Sequence, residues 1–234
     1  MSRFAIAVTL SIGAILCAPQ AQSGDVPVVT VALQFEHGYS AASLKEMKRE
    51  FERILIPARV RVAWRIAGEL TGRESFQEIV VARFKGHCEA DQTGAASAPL
   101  PHLGRTHAIS GDISPFAELD CDSIHASLAR YAAPETVFQL QRMLGSGMAR
   151  VLAHEFYHAV LRTPEHSTHG IAKASLTPAD LFGGPIGFAP DQMERIVEAL
   201  TPPADNDSPS AVVAYYSKST VTVSTLPVNA NGLR

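Results

Sequence analysis

His154-Glu155-Phe156-Tyr157-His158 stands inside a run, Gln139 to Leu161, that contains no proline. Within that run Leu144, Met148, Leu152, Phe156 and Val160 recur every fourth residue, the spacing that gathers side chains into one stripe of an α-helix. The run therefore predicts a long helix with one apolar face, opened near Pro134 and ended by Thr163-Pro164. His154 and His158 lie off the stripe and share a flank, one turn above each other. Two imidazoles so placed can reach one zinc ion, and Glu155 beside the first is the carboxylate that can take a proton from a metal-bound water.

A catalytic zinc usually has three protein ligands and one open position. The helix supplies two, so a third must come from elsewhere. Pro164 breaks the helix and lets the chain turn back, and the next residues, Glu165-His166-Ser167-Thr168-His169-Gly170, hold two further histidines. His166 is the expected third ligand, with His169 and then Glu165 behind it. A glutamate on a later helix is the competing geometry; Glu194 and Glu198 occupy such a helix, though both also fit its solvated face, and Asp180 is a weaker candidate.

Around this helix the pattern is mixed. Val26 to Phe35 is valine-rich and reads as a buried strand. Ser40 or Ser43 can cap a helix reaching about Ile56, with Leu44, Met47, Phe51, Ile54 and Leu55 facing inward and Pro57 ending it. Val60 to Ile66 alternates polar and apolar, Phe76 to Phe84 is a third strand candidate, and His107–Ser110 and Phe116–Asp120 read as strands around a Gly111-Asp112 turn. Residues 86–101 read as a long loop. Ser175–Phe182 and Pro190–Leu200 read as short helices, with Thr177 as a cap. The fold class expected is α/β (α+β), a mixed sheet packed on helices with a small C-terminal lobe.

The chain has 234 residues, a hydrophobic fraction of 46% and a net charge of −3, which suits one globular domain. It has no basic block, so nucleic acid is not an expected partner. Residues 1–23 read as a signal peptide, with Arg3 ahead of an apolar run from Phe4 to Ala18 and small residues at Ala18, Ala21 and Ser23. That run is short for a membrane span, and no later one is expected. A secreted or periplasmic location follows as an expectation. Residues 24–200 form the expected catalytic domain, and 201–234 a partly disordered tail that carries an optional strand at 212–216 or 221–223. Loss of Cys17 with the signal leaves Cys88 and Cys121, an even pair that reads as one disulfide in an exported protein.

At Val151-Leu152-Ala153-His154-Glu155-Phe156-Tyr157-His158 the chain resembles the zincin metallopeptidases. The resemblance implies an α/β upper region whose sheet edge binds an extended peptide, a smaller lower part holding the third ligand, and zinc-dependent peptide hydrolysis. The metzincin branch places its third histidine six residues after the second, with a glycine between; here those positions are Pro164 and Leu161. The His158-to-His166 spacing looks more like small secreted bacterial zincins. On this reading Zn²⁺ is held by His154, His158 and His166, Glu155 is the general base, and the substrate is a peptide or protein. Candidates for an oxyanion donor are His169, Tyr157, Tyr215 and Tyr216. The alternative is a non-catalytic zinc-containing binding protein derived from a peptidase.

Overall fold

The computed structural model describes residues 26–89, 102–131 and 136–201. The segment expected to be a signal peptide, nearly all of the expected tail and most of the 86–101 segment lie outside the described residues. Among the described residues five strands form one mixed sheet in the order β2-β1-β3-β5-β4. Strands β1 (Val28–Phe35), β2 (Arg61–Ile66), β3 (Ile79–Lys85) and β5 (Asp112–Asp120) are parallel, and β4 (Gly104–Ile109) runs antiparallel to β5 along one edge.

The helix α1 (Ala41–Leu55) connects β1 to β2 and is capped by the Ser40 side chain. Its Met47, Phe51, Ile54 and Leu55 are buried, and Leu44 packs partly buried against the same core. The β4–β5 hairpin turns through Ser110 and Gly111, both at positive φ (54° and 91°), the conformation whose twist suits a two-residue hairpin loop. Both strands begin earlier than expected: the ladder carries β4 back to Gly104, opposite Leu119, and carries β5 back to Asp112, opposite Ile109. The third strand begins later than the sequence pattern suggested, at Ile79.

The long helix α3 runs from Val137 to Leu161. Thr136, not Pro134, sets its start: the Thr136 hydroxyl accepts from the Gln139 amide, and the Gln139 side chain accepts from the Thr136 amide. Before it lies α2 (Cys121–Tyr131), a helix that the strand-and-turn pattern had not indicated. Leu144, Met148, Leu152 and Phe156 are fully buried and Val160 nearly so, as the stripe required. They pack α3, beside α1, beneath the sheet face formed by Val29, Val31, Leu33, Val80, Ala82, Phe84, Ala117 and Leu119. Each valine, leucine, methionine and phenylalanine among them contributes roughly 1.5–3 kcal/mol through burial.

The smaller lower part follows α3, with α4 (Pro178–Phe182) and α5 (Pro190–Leu200). Buried Arg150 of α3 ties it down, donating to Glu50 of α1 at 2.9 Å and to the Asp180 carbonyl at 2.7 Å. Burial pushes the Glu50 carboxyl up, but Arg53 and Arg150 outweigh that and hold it below the ordinary glutamate value. Cys88 and Cys121 form a disulfide that joins the segment after β3 to the start of α2. No helix among the described residues is long and apolar enough to cross a membrane.

Candidate metal centre

His154 and His158 project from the last turns of α3, off the buried stripe. Helix α3 stops at Leu161 because Arg162 takes the left-handed conformation, φ 52°. Its backbone amide donates to the His158 carbonyl, and its guanidinium donates to Glu78 Oε1 at 3.0 Å. The chain reverses at once, and the Thr163 carbonyl comes back to accept a hydrogen bond from His158 Nδ1 at 2.7 Å. A few residues later the Ile171 carbonyl accepts from His154 Nδ1 at 2.9 Å.

These two bonds decide the chemistry of the rings. A carbonyl can only accept, so each Nδ1 carries the proton, and each neutral ring keeps its lone pair on Nε2. The two Nε2 atoms face each other at 3.2 Å. Two lone pairs that close repel unless something positive lies between them. Two nitrogens bound tetrahedrally to zinc at about 2.0–2.1 Å would stand about 3.3 Å apart, so the pair fits one such ion. Burial lowers the His154 pKa to about 4, with the Ile171 carbonyl opposing and the neighbouring His158 and His166 adding to the drop. Burial also lowers that of His158. Both rings are therefore neutral at pH 7, the form that ligates metal.

His166 completes the group. Its ring centroid lies 5.2 Å from that of His154 and 4.7 Å from that of His158. One ligand atom from each of the three lies within 4.8 Å of the others, and among the described residues no other group of three His, Cys, Asp or Glu does so. The remaining sequence candidates stand elsewhere. His169 is exposed with Nδ1 against the Thr168 hydroxyl. Glu165 is exposed. Asp180 caps α4 and pairs with Lys173 at 2.7 Å. Glu194 and Glu198 line an open groove with Pro57, Phe188 and Met193. The Tyr157 hydroxyl is taken by Arg195 at 3.0 Å, and Tyr215 and Tyr216 lie outside the described residues.

Glu155 is buried against the edge strand. The Thr106 hydroxyl donates to its Oε2 at 2.7 Å. Burial raises the carboxyl to about pKa 7, and the Thr106 bond opposes the rise only in part. Gly104 sits closer still: a Cβ there would stand 2.8 Å from Glu155 Oε1 and 2.7 Å from Val151 Cγ1. Only glycine lets β4 lie this near α3. Neither Gly104 nor Thr106 was foreseen, since nothing local in the sequence pairs either with position 155.

A cleft of about 210 Å³ opens over these groups, lined by His102, Gly104, Val151, His154, Glu155 and Ser175 among others. One of its walls is the free edge of β4. The Leu103 carbonyl accepts from the Asp120 amide at 2.9 Å, so Leu103 faces β5. By the alternation of an antiparallel ladder, the backbone groups of Gly104 and Thr106 then face outward, away from the sheet. A bulge between Thr106 and Ala108 ends that regular edge.

No family model matches the chain, and no curated protein matches it. Five chains of known structure do. One is archaemetzincin from Methanopyrus kandleri, with 12% sequence identity and a TM-score of 0.43, the match covering 74% of this chain and 95% of that chain.

Proposed function

We propose that this protein is a zinc-dependent peptidase of the zincin kind, with His154, His158 and His166 as the metal ligands and Glu155 as the general base. The observation that carries the proposal is the pair of Nε2 lone pairs, 3.2 Å apart and fixed by backbone carbonyls, with a third histidine beside them and a buried carboxyl one residue along the helix. Carbonyl partners of this kind orient ligating histidines and fix their tautomers. When bound, zinc supplies a water of lowered pKa and a Lewis acid for the substrate carbonyl.

The chain's own groups would do the rest. Glu155, with a pKa of about 7 in the metal-free protein, can accept a proton from the attacking water and return it to the leaving amine. Thr106 holds one carboxylate oxygen, the other lies against Gly104, and Glu155 lines the cleft. An extended peptide can add to the β4 edge through the outward backbone groups of Gly104 and Thr106, which aligns its scissile bond along α3. Gly104 keeps that edge close enough to Glu155 for the two to share one substrate. Export belongs to the same reading and is supported by the Cys88–Cys121 disulfide.

The test is peptide hydrolysis by zinc-loaded protein, wild type against Glu155→Gln. Cleavage by wild type, with zinc kept and cleavage lost in the variant, is expected. Zinc binding without hydrolysis by wild type on any peptide mixture would favour the non-catalytic binding protein instead.

A further inference from the structure

The three histidines are not held alike. His154 and His158 sit on a rigid helix, and each has its own carbonyl partner. His166 is exposed and sits on a loop, so its position depends on what holds residues 166–172. Besides the Ile171 carbonyl's bond to His154, three contacts anchor it. The Ser167 amide donates to the Ala172 carbonyl at 2.8 Å, closing the loop on itself. The Ile171 amide donates to the Gly187 carbonyl at 3.0 Å. Gly170, at φ 70°, makes that approach, and a Cβ there would stand 2.8 Å from the Gly187 oxygen. The third contact is the side chain of Gln192, on the first turns of α5.

Gln192 is 1% exposed. Its Oε1 accepts from the Ala189 amide at 3.0 Å, and since that amide can only donate, the orientation of the side-chain amide is fixed. The NH₂ group is therefore turned to the loop, where it donates to Ser167 Oγ at 2.7 Å and approaches the His169 carbonyl at 3.4 Å. Ser167 Oγ also accepts from the His169 amide at 3.3 Å. One buried side chain thus spans the loop immediately after His166. It also steadies the stretch whose Ile171 carbonyl orients His154.

We propose that Gln192 is a positioning residue of the metal centre, fixing through Ser167 and His169 the loop that presents His166. The inference rests on the three histidines being metal ligands. Glutamine suits the role where glutamate does not, because the position must donate toward two acceptors while accepting from Ala189. Partners bonded directly to a metal ligand typically alter metal affinity ten- to a hundred-fold, and Gln192 acts one step further back, so the lower end of that range applies.

The test uses the full chain and reads the metal rather than activity. Zinc affinity is measured by competition with a chromophoric chelator for wild type, Gln192→Met, Ser167→Ala and Met193→Ala, with the visible spectrum of each Co²⁺-loaded protein. Met193 neighbours Gln192 but is buried in the core, so its truncation lowers stability without touching the loop. The expected result is about a tenfold loss of zinc affinity and an altered Co²⁺ spectrum for Gln192→Met, with a change in the same direction for Ser167→Ala. Met193→Ala is expected to stay within about twofold of wild type, with an unchanged spectrum. Wild-type affinity in both Gln192→Met and Ser167→Ala overturns the inference, and so does an equal loss in Met193→Ala. If wild type binds zinc and His166→Ala does not, such a result overturns the role of Gln192 alone; a wild type that binds no zinc overturns the metal centre with it.

Discussion

Replacing Glu155 by Gln should make the metal-free protein more stable, and only above a certain pH. The Glu155 carboxyl is 4% exposed, and burial lifts its pKa from 4.5 to about 7. Below pH 4.5 the folded and unfolded chains both hold the proton, so the carboxyl costs nothing extra. Between pH 4.5 and about 7 the unfolded chain has lost it while the folded one keeps it, so stability falls as pH rises. Above 7 both are ionised and the loss is complete. At about 1.4 kcal/mol for each tenfold change in the protonation equilibrium, the rise from 4.5 to about 7 amounts to about 3 kcal/mol. Glutamine has the same shape, keeps an oxygen for the Thr106 hydroxyl and does not titrate. All other titrating groups are common to the two proteins and cancel in the difference. Urea unfolding in the presence of a chelator, from pH 4 to pH 8.5, should therefore give coincident stabilities at the acid end. Glu155→Gln should then gain up to about 3 kcal/mol by pH 8, or roughly 6–12 °C in melting temperature for a domain of this size. A difference that stays flat with pH, or a wild type that is the more stable at pH 8, would refute the account of this carboxyl.

Gly104→Ala should push β4 away from α3, because its Cβ meets Val151 and Glu155 at under 3 Å; a stability loss of about 1–3 kcal/mol in urea unfolding is expected, with a larger proportional loss of peptide hydrolysis. Breaking the Cys88–Cys121 disulfide by a double Cys→Ser exchange should cost about 3–4 kcal/mol for a separation of 33 residues, read as a lowered urea midpoint. Both cysteines are buried, so mild reductant acting on the folded protein should have little effect.

Much of this arrangement could be read from the sequence because it is local. The stripe from Leu144 to Val160 fixed which face of α3 is buried, and the four-residue spacing placed His154 and His158 together. Pro164 marked the turn. What brings His166 to the other two rings, while His169 and Glu194 stand apart, is not local: the left-handed Arg162, its bond to Glu78 and the anchoring of the loop by Gln192 come from three separate parts of the chain. The helix α2 was missed although it carried a signal. Asp120 ends a strand and caps a helix at once, its carboxylate accepting from the Ser123 amide at 2.5 Å, and Ile124 and Leu128 follow at helical spacing. A strand that runs into a helix with no intervening loop hides that boundary. Gly104 and Thr106 were invisible for another reason. Their meaning depends on the pairing of β4 with β5, which brings residues 104–106 beside residue 155 across about fifty positions of sequence.

The central claim is that three histidines, and no carboxylate, hold one metal ion. Zinc content of the purified protein, measured by atomic absorption for wild type and for His166→Ala, His169→Ala and Glu194→Ala, tests it most directly. One zinc per chain is expected in the wild type, His169→Ala and Glu194→Ala, with loss in His166→Ala alone. Full zinc in His166→Ala, or loss in Glu194→Ala, would contradict it.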